Sequence, residues 1–185
     1  MGPPQGNDFD RFRPYLLLLA GAHLNARLRG RVGASDVVQQ TLLEAHRDRE
    51  QYRGQTTAEL AGWLRQILVR NLLDARKEHG RERRDVRRDV ALAAELGRSS
   101  AQLAGWLADP GPSPSQAAAR DEQAVRMAGA LADLPEAQRE ALVLQHWHGW
   151  TLARIGQQLD RSPEAVAGLL KRGLKRLREL LDDAD

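Results

Sequence analysis

Apolar residues recur along most of this chain at intervals of three and four positions, the spacing that places them on one face of an α-helix. The pattern predicts helices over about residues 10–29 and 35–52, and a long one from about residue 57 that continues into a basic run. Further helices are predicted over about residues 116–131, 135–148, 151–159 and 163–181. No segment shows the strict alternation of a β-strand, so the sequence predicts an all-α protein.

Several predicted helix starts carry capping residues. Ser35 is expected to cap the second helix. Thr56 and Glu59 have the form of a capping box, in which a hydroxyl and a carboxylate three residues apart each accept the other residue's backbone N–H. Before the last helix, Ser162 is a good N-cap and Pro163 suits the first helical position.

Composition divides the chain into two parts. Residues 98–116 are rich in Pro, Ser and Gly, and because proline lacks a backbone N–H and has a fixed φ, this stretch is predicted to be a flexible linker. It separates an N-terminal helical domain, residues 10–97, from a C-terminal one, residues 117–181. The expected architecture is two small all-α domains joined by a Pro/Ser-rich tether.

The last two helices have the pattern of a helix-turn-helix. Leu152, Ile155 and Leu159 form the apolar stripe of the first, and Gly156 is small enough for the second helix to cross closely. The second helix carries an apolar stripe on one face and, on the other, Lys171, Arg172, Lys175, Arg176 and Arg178. Such a pair has the shape that enters a DNA major groove, although a plain helical hairpin with a solvated basic face shows the same pattern.

Charge and composition favour a nucleic-acid-type partner and argue against several classes of enzyme and metal protein. The formal net charge is +3, and the basic residues cluster in the last helix and in residues 76–88, which favours a polyanionic partner. There is no cysteine, hence no disulfide or thiol nucleophile, and His146 and His148 would point in different directions on a helix, which disfavours a metal site. Since the sequence shows no signal core, membrane-spanning run, phosphate-cradling loop or serine elbow, we expect a cytoplasmic binding protein without cofactor or enzymatic activity.

Three segments, in this order, resemble the extracytoplasmic-function (ECF) sigma factors of bacterial RNA polymerase. Residues 34–43, ASDVVQQTLL, resemble the family's core-binding segment, and residues 63–76, WLRQILVRNLLDAR, resemble its promoter-melting and minus-ten helix. Residues 134–144, LPEAQREALVL, together with residues 151–178 resemble its domain for the minus-thirty-five element. The resemblance implies a transcription initiation factor whose partners are core RNA polymerase and promoter DNA, and it allows an anti-sigma factor as a further partner.

The resemblance also implies roles for individual residues. The clamp helices of the polymerase's largest subunit are expected to contact a polar face formed by Asp36, Gln39, Gln40 and Thr41. The melted minus-ten strand and the upstream DNA are expected to contact Arg53, Trp63, Arg70, Asn71, Arg76, Lys77, Arg81, Arg83 and Arg84. The helix-turn-helix is expected to bind DNA through Ser162, Glu164, Ala165, Ala167, Gly168, Lys171, Arg172 and Lys175.

The recognition helix departs from the family pattern. Ala167 and Gly168 stand where the family often has a basic residue, and neither can bond a base edge through its side chain. We therefore hypothesise that this domain reads DNA largely through shape and phosphates. Arg154 stands where the family often has an acid, and nothing in the sequence explains it.

Three alternatives remain open at this stage. Trp63 fits a place in the helical core as well as a stacking platform for a base, and Asp36 fits a solvated face that serves the helix dipole. For the whole chain, the alternative function is a stand-alone helix-turn-helix regulator, which predicts a symmetric dimer and palindromic sites.

Overall fold

The computed structural model describes residues 9–24, 33–79, 86–106 and 117–183, and the regular structure of those residues is entirely helical, which confirms the all-α prediction. The N-terminal unit contains α1 (Arg13–His23), α2 (Ala34–Arg47), α3 (Thr57–His79) and α4 (Val86–Ala104), with 3₁₀ turns at Asp10–Phe12 and Arg49–Gln51. The C-terminal unit contains α5 (Ala117–Ala132), α6 (Glu136–Leu142), α7 (Leu152–Leu159) and α8 (Pro163–Asp182). A π-helical segment, Val143–Trp147, extends α6.

The capping box ahead of α3 is confirmed. The Thr56 hydroxyl accepts the backbone N–H of Glu59 at 3.1 Å, and the Glu59 carboxylate accepts the backbone N–H of Thr56 at 3.0 Å. Because the N–H groups of Gln55 and Thr56 both donate to this carboxylate, the pKa of Glu59 lies below its usual value.

The helix α4 extends further than the composition predicted. Residues 98–104 were assigned to the linker but form the last turns of α4. The physical reason is packing, since Leu96 and Leu103 lie on one face of this helix and are both fully buried. The helix α5 packs against α1, α3 and α4 as well as against α8, so the described parts of the two units are in contact. The proline-rich residues 107–116 lie outside the described residues.

A cluster of four polar side chains, here called the polar clasp, joins α1, α3, α4 and α5. The Arg65 guanidinium donates two hydrogen bonds to the Asp121 carboxylate, at 2.6 and 2.8 Å, and another to the Tyr15 hydroxyl at 2.6 Å. The Ser100 hydroxyl accepts from Tyr15 at 2.9 Å and donates to Asp121 at 2.9 Å. These bonds attach the first helix of the C-terminal unit to the N-terminal unit, a connection that the sequence pattern does not reveal.

Candidate nucleic-acid interface

The predicted helix-turn-helix is present as α7, a short turn and α8. The Thr151 hydroxyl caps α7 by accepting the backbone N–H of Arg154 at 3.3 Å, and the Ser162 hydroxyl caps α8 by accepting that of Ala165 at 3.2 Å. Asp160 ends α7 in the left-handed conformation, with a φ of 52°, which Asp and Asn adopt more readily than most residues. The turn is therefore fixed on both sides by residues close to it in sequence.

Gly156 is the position of closest backbone approach in this motif. A Cβ atom there would lie 2.5 Å from the carbonyl oxygen of Arg161 and 3.7 Å from the backbone nitrogen of Pro163. The Arg161 N–H in turn donates to the Gly156 carbonyl at 2.9 Å. The sequence predicted that the second helix approaches closely at Gly156, whereas the nearest group is the backbone of the turn at Arg161, and the first residue of the second helix lies farther away.

The helix α8 turns its apolar stripe toward the protein and its polar stripe toward solvent. Val166 and Leu177 are fully buried. Gly168 is half-buried, and a Cβ atom there would lie 3.2 Å from Nη1 of Arg172, so the Arg172 side chain folds back along the helix over this glycine. The other residues of the helix-turn-helix that are predicted to bind DNA are all exposed: Ser162, Glu164, Ala165, Ala167, Lys171, Arg172 and Lys175.

The basic residues of α8 fall into two groups. Lys175 and Arg176 lie 3.9 and 3.3 Å from the Glu179 carboxylate, in exposed pairs that water and salt screen. Lys171 and Arg172 have no acidic side chain within ion-pair distance among the described residues. These two cations are available to a phosphate, as is Arg178 nearer the end of α8, which is likewise exposed and has no acidic side chain within ion-pair distance among the described residues.

Glu164 takes part in the cap of α8. The pKa of its carboxyl is lowered because it accepts a hydrogen bond from its own backbone N–H and a second from the Ser162 hydroxyl. An ionised carboxylate in the first turn is favoured by the helix dipole, but it repels a phosphate. Ala165 and Ala167 beside it present methyl groups, which can touch a thymine methyl but cannot form a hydrogen bond.

The structure gives Arg154 a partner that sequence reasoning did not identify. Its guanidinium carbon lies 3.9 Å from the centroid of the Trp150 ring, a cation–π contact. Trp150 is half-buried between the π-helical segment and α7. The signal in the sequence was the four-residue spacing of the two side chains, which was missed because Trp150 precedes the helix.

The proposed polymerase-binding residues of α2 lie at the start of the helix and on its exposed face. Gln39 and Gln40 are exposed. Asp36 is also exposed, but its carboxylate accepts the backbone N–H of Gly33 at 3.1 Å and closes the start of the helix. The predicted N-cap, Ser35, is wrong: Gly33 holds that position, because the carboxylate three residues later supplies the acceptor.

Thr41 and Asn71 meet inside the N-terminal unit. The Thr41 side chain is fully buried; its hydroxyl donates to the Val37 carbonyl at 2.8 Å and accepts from the Asn71 amide at 3.1 Å. The expectation that Thr41 lies on the accessible face of α2 is therefore wrong, because the hydroxyl bridges two helices. The side chain next to Asn71, that of Arg70, is exposed.

Trp63 packs in an aromatic group at the surface of the N-terminal core. Its ring centroid lies 5.3 Å from that of Tyr52 and 6.1 Å from that of Phe9, and the residue is half-buried. These contacts favour the core interpretation of Trp63. Arg53 is exposed in the turn before α3, and its guanidinium donates to the Glu50 carbonyl.

The structure describes only part of the basic run that begins at the end of α3. Arg76 is half-buried and donates to the His23 carbonyl at 2.9 Å, while Lys77 pairs with Asp74 at 2.7 Å. Both therefore have partners within the protein. The other predicted contacts of the run, Arg81, Arg83 and Arg84, lie outside the described residues.

The two histidines near the end of α6 do not converge. The His146 ring packs against Trp106 with 5.4 Å between centroids, whereas His148 is exposed. Burial lowers the pKa of His146. Across the described ranges, no group of three or more His, Asp or Glu side chains is arranged to hold a metal ion.

Comparison with protein families matches residues 130–179 to the family described as sigma-70, region 4. The matched residues run from the end of α5 into α8 and contain α7, the turn and all but the last three residues of α8. None of the curated proteins matches the chain. No helix in the described part of the chain is long and apolar enough to cross a membrane. The C-terminal part of the chain is thus similar to region 4 of the sigma-70 factors, and this similarity indicates a DNA-binding, non-enzymatic role in transcription initiation.

Proposed function

We propose that the chain is an ECF-type sigma factor that binds core RNA polymerase and directs it to specific promoters. In this proposal the N-terminal unit captures the melted minus-ten strand and the C-terminal unit docks on the minus-thirty-five element. The observation that carries the proposal is the region 4 match, which covers nearly all of the helix-turn-helix. The similarity of α2 and α3 to the family's core-binding and minus-ten segments supports the remainder.

The proposed polymerase contact is the exposed face of α2. Gln39 and Gln40 lie one turn before Leu43, so the three side chains share a face. Leu43 is 57% exposed, which is unusual for a large apolar residue on a helix that also packs into a core. An apolar side chain flanked by polar ones suits a protein interface. Asp36 joins this surface at the start of the helix, and Thr41 acts indirectly by fixing α2 against α3.

The proposed contacts with the melted strand come from the exposed side of α3 and the turn before it. Of the residues predicted to contact the melted strand here, Arg53 and Arg70 are exposed cations. The Asn71 amide instead donates a hydrogen bond to Thr41. Trp63 supports the turn through its contact with Tyr52. The basic residues 76–88 are proposed to contact upstream phosphates, which give affinity and salt dependence without sequence information.

The proposed reading of the minus-thirty-five element depends mainly on phosphates and DNA shape. Lys171 and Arg172 supply unpaired positive charge, and Ala165 and Ala167 let the helix backbone approach the groove closely. Each bidentate base contact is worth roughly 1–3 kcal/mol of discrimination. With methyl groups at these positions, we expect a loosely defined minus-thirty-five sequence. Because the proposed function is in bacterial transcription, the proposed location of the protein is the cytoplasm. An anti-sigma factor is proposed as a further partner.

The experiment that tests the proposal is co-elution of the purified chain with core RNA polymerase. We expect a complex with wild type and weaker binding with the double variant Asp36→Ala, Gln40→Ala. The matched control is Glu122→Ala, Gln123→Ala, which also removes an exposed acid and an exposed amide, but from α5. Equal loss in both double variants would remove α2 from the interface. No complex with wild type, together with a dimer that shifts duplex DNA unaided, would support the stand-alone regulator instead.

A further inference from the structure

We propose that Trp150 and Arg154 form a phosphate-binding site on the first helix of the helix-turn-helix, in which the indole ring holds the guanidinium ready for a DNA backbone phosphate. This inference rests on the proposed DNA binding of the region 4 domain and extends it. It concerns a helix that contributes none of the contacts assigned above.

The backbone around Trp150 is fixed by the end of the π-helical segment. The Gly149 N–H donates to the Gln145 carbonyl at 3.0 Å, and the Trp150 N–H donates to the Leu144 carbonyl at 3.0 Å. Gly149 adopts a φ of +65°, which a glycine reaches without strain and which turns the chain toward α7. The ring also packs against the core. Trp150 is therefore a rigid platform at the surface rather than a freely rotating side chain.

Arg154 is positioned by that platform and has its charge available. It is exposed, it lies one turn after Trp150, and its guanidinium sits 3.9 Å from the ring centroid. In the described part of the chain it has no carboxylate within ion-pair distance. An arginine that stacks through its planar face keeps the N–H donors on its edge, and those donors match the geometry of a phosphate. Because the ring restricts the side chain in advance, less conformational entropy is lost when a phosphate binds.

The position of Arg154 in the motif suits the DNA backbone. In a helix-turn-helix the second helix enters the major groove while the first helix crosses the backbone. Arg154 belongs to the first turn of α7, on the side opposite the buried Ile155 and Gly156. Its charge thus adds to that of Lys171 and Arg172 on α8. A negative residue at this place would oppose a phosphate, whereas Arg154 attracts one.

The test is binding of the full chain to a labelled duplex of mixed sequence, measured by fluorescence anisotropy over a range of KCl concentrations. A protein loses about 0.9 from the slope of log K against log salt for each phosphate contact removed. We expect Arg154→Ala to make the slope shallower by about this amount and to weaken binding about tenfold at low salt. Trp150→Phe keeps an aromatic ring that attracts cations less strongly, so it should give a smaller loss in the same direction.

The matched control is Arg120→Ala, which removes one exposed positive charge from the start of α5. It should leave the slope unchanged, and thermal unfolding of each variant checks that the fold is intact. The inference is overturned if Arg154→Ala and Arg120→Ala behave alike, if Trp150→Phe binds as wild type does, or if wild type does not bind the duplex. Co-elution with core polymerase reports on the sigma proposal separately, because the duplex assay contains no polymerase.

Discussion

The polar clasp allows a direct test of what holds α5 against the N-terminal helices. Asp121→Ala removes the carboxylate that accepts two hydrogen bonds from Arg65, and the Arg65 side chain that remains is 18% exposed. Burial by itself would lower the pKa of Arg65, but the hydrogen bonds and charges of Asp121 and Tyr15 more than offset burial and raise it. The substitution therefore leaves a largely buried charge without its main partner.

The expected loss follows from the burial of the pair. Removing one partner of a fully buried ion pair costs about 3–5 kcal/mol. Here the two side chains are 18% and 21% exposed and the Tyr15 hydroxyl still accepts from Arg65, so we expect about 2–3 kcal/mol. The double variant Arg65→Met, Asp121→Leu removes both charges and keeps apolar volume. It should unfold within about 1 kcal/mol of wild type, because an apolar replacement of a buried pair is often neutral.

Urea unfolding at neutral pH, followed by far-UV circular dichroism, measures these differences. The control is Glu179→Ala, which breaks an ion pair with Lys175 at the surface. The Lys175 side chain is 81% exposed and that of Glu179 is 45% exposed. A surface pair contributes about 0–1 kcal/mol, so this variant should unfold nearly as wild type does. If Asp121→Ala lowers the free energy of unfolding no more than Glu179→Ala does, or if the double variant is as unstable as Asp121→Ala, the buried charge of Arg65 does not need Asp121 as its partner.

Two other predictions concern the turn and the histidines. Gly156→Ala should lower the free energy of unfolding by about 1–3 kcal/mol, because its Cβ would overlap the Arg161 carbonyl oxygen, and an unchanged melting temperature would contradict this. Burial lowers the pKa of both His23 and His146 in the folded chain, so the folded state favours their neutral forms. Their contribution to stability is present above the unfolded pKa of about 6.5 and is lost as the pH falls below it. Replacing both with Gln should flatten the decline in stability between about pH 7 and pH 5, and a profile identical to wild type would show that other groups cause it.

Local features of the fold could be predicted because a few neighbouring residues determine them. The capping box at Thr56 and the cap of α8 at Ser162 each follow from side chains within a few positions of the helix start. The polar clasp could not be predicted, since 85 positions separate Tyr15 from Ser100 and no local pattern connects them. For the same reason the sequence predicts residues 98–104 as linker although they are helical, because the burial of Leu103 depends on helices that are distant in sequence.

The motifs on α2 and α3 contain both exposed and inward-facing residues, and a sequence comparison does not distinguish between them. With 3.6 residues per turn, neighbours point in different directions, so Gln40 is exposed while Thr41 is buried, and Arg70 is exposed while Asn71 turns inward. We infer that the inward residues of these motifs fix the helix that presents the outward ones. Thr41→Val should cost about 1–3 kcal/mol of unfolding free energy, because the Asn71 amide loses its acceptor. Gln40→Ala should leave the stability unchanged and weaken binding to core polymerase. Thermal unfolding and co-elution of both variants separate the two effects, and a Thr41→Val variant that is fully stable yet fails to bind would show that Thr41 contacts the polymerase directly.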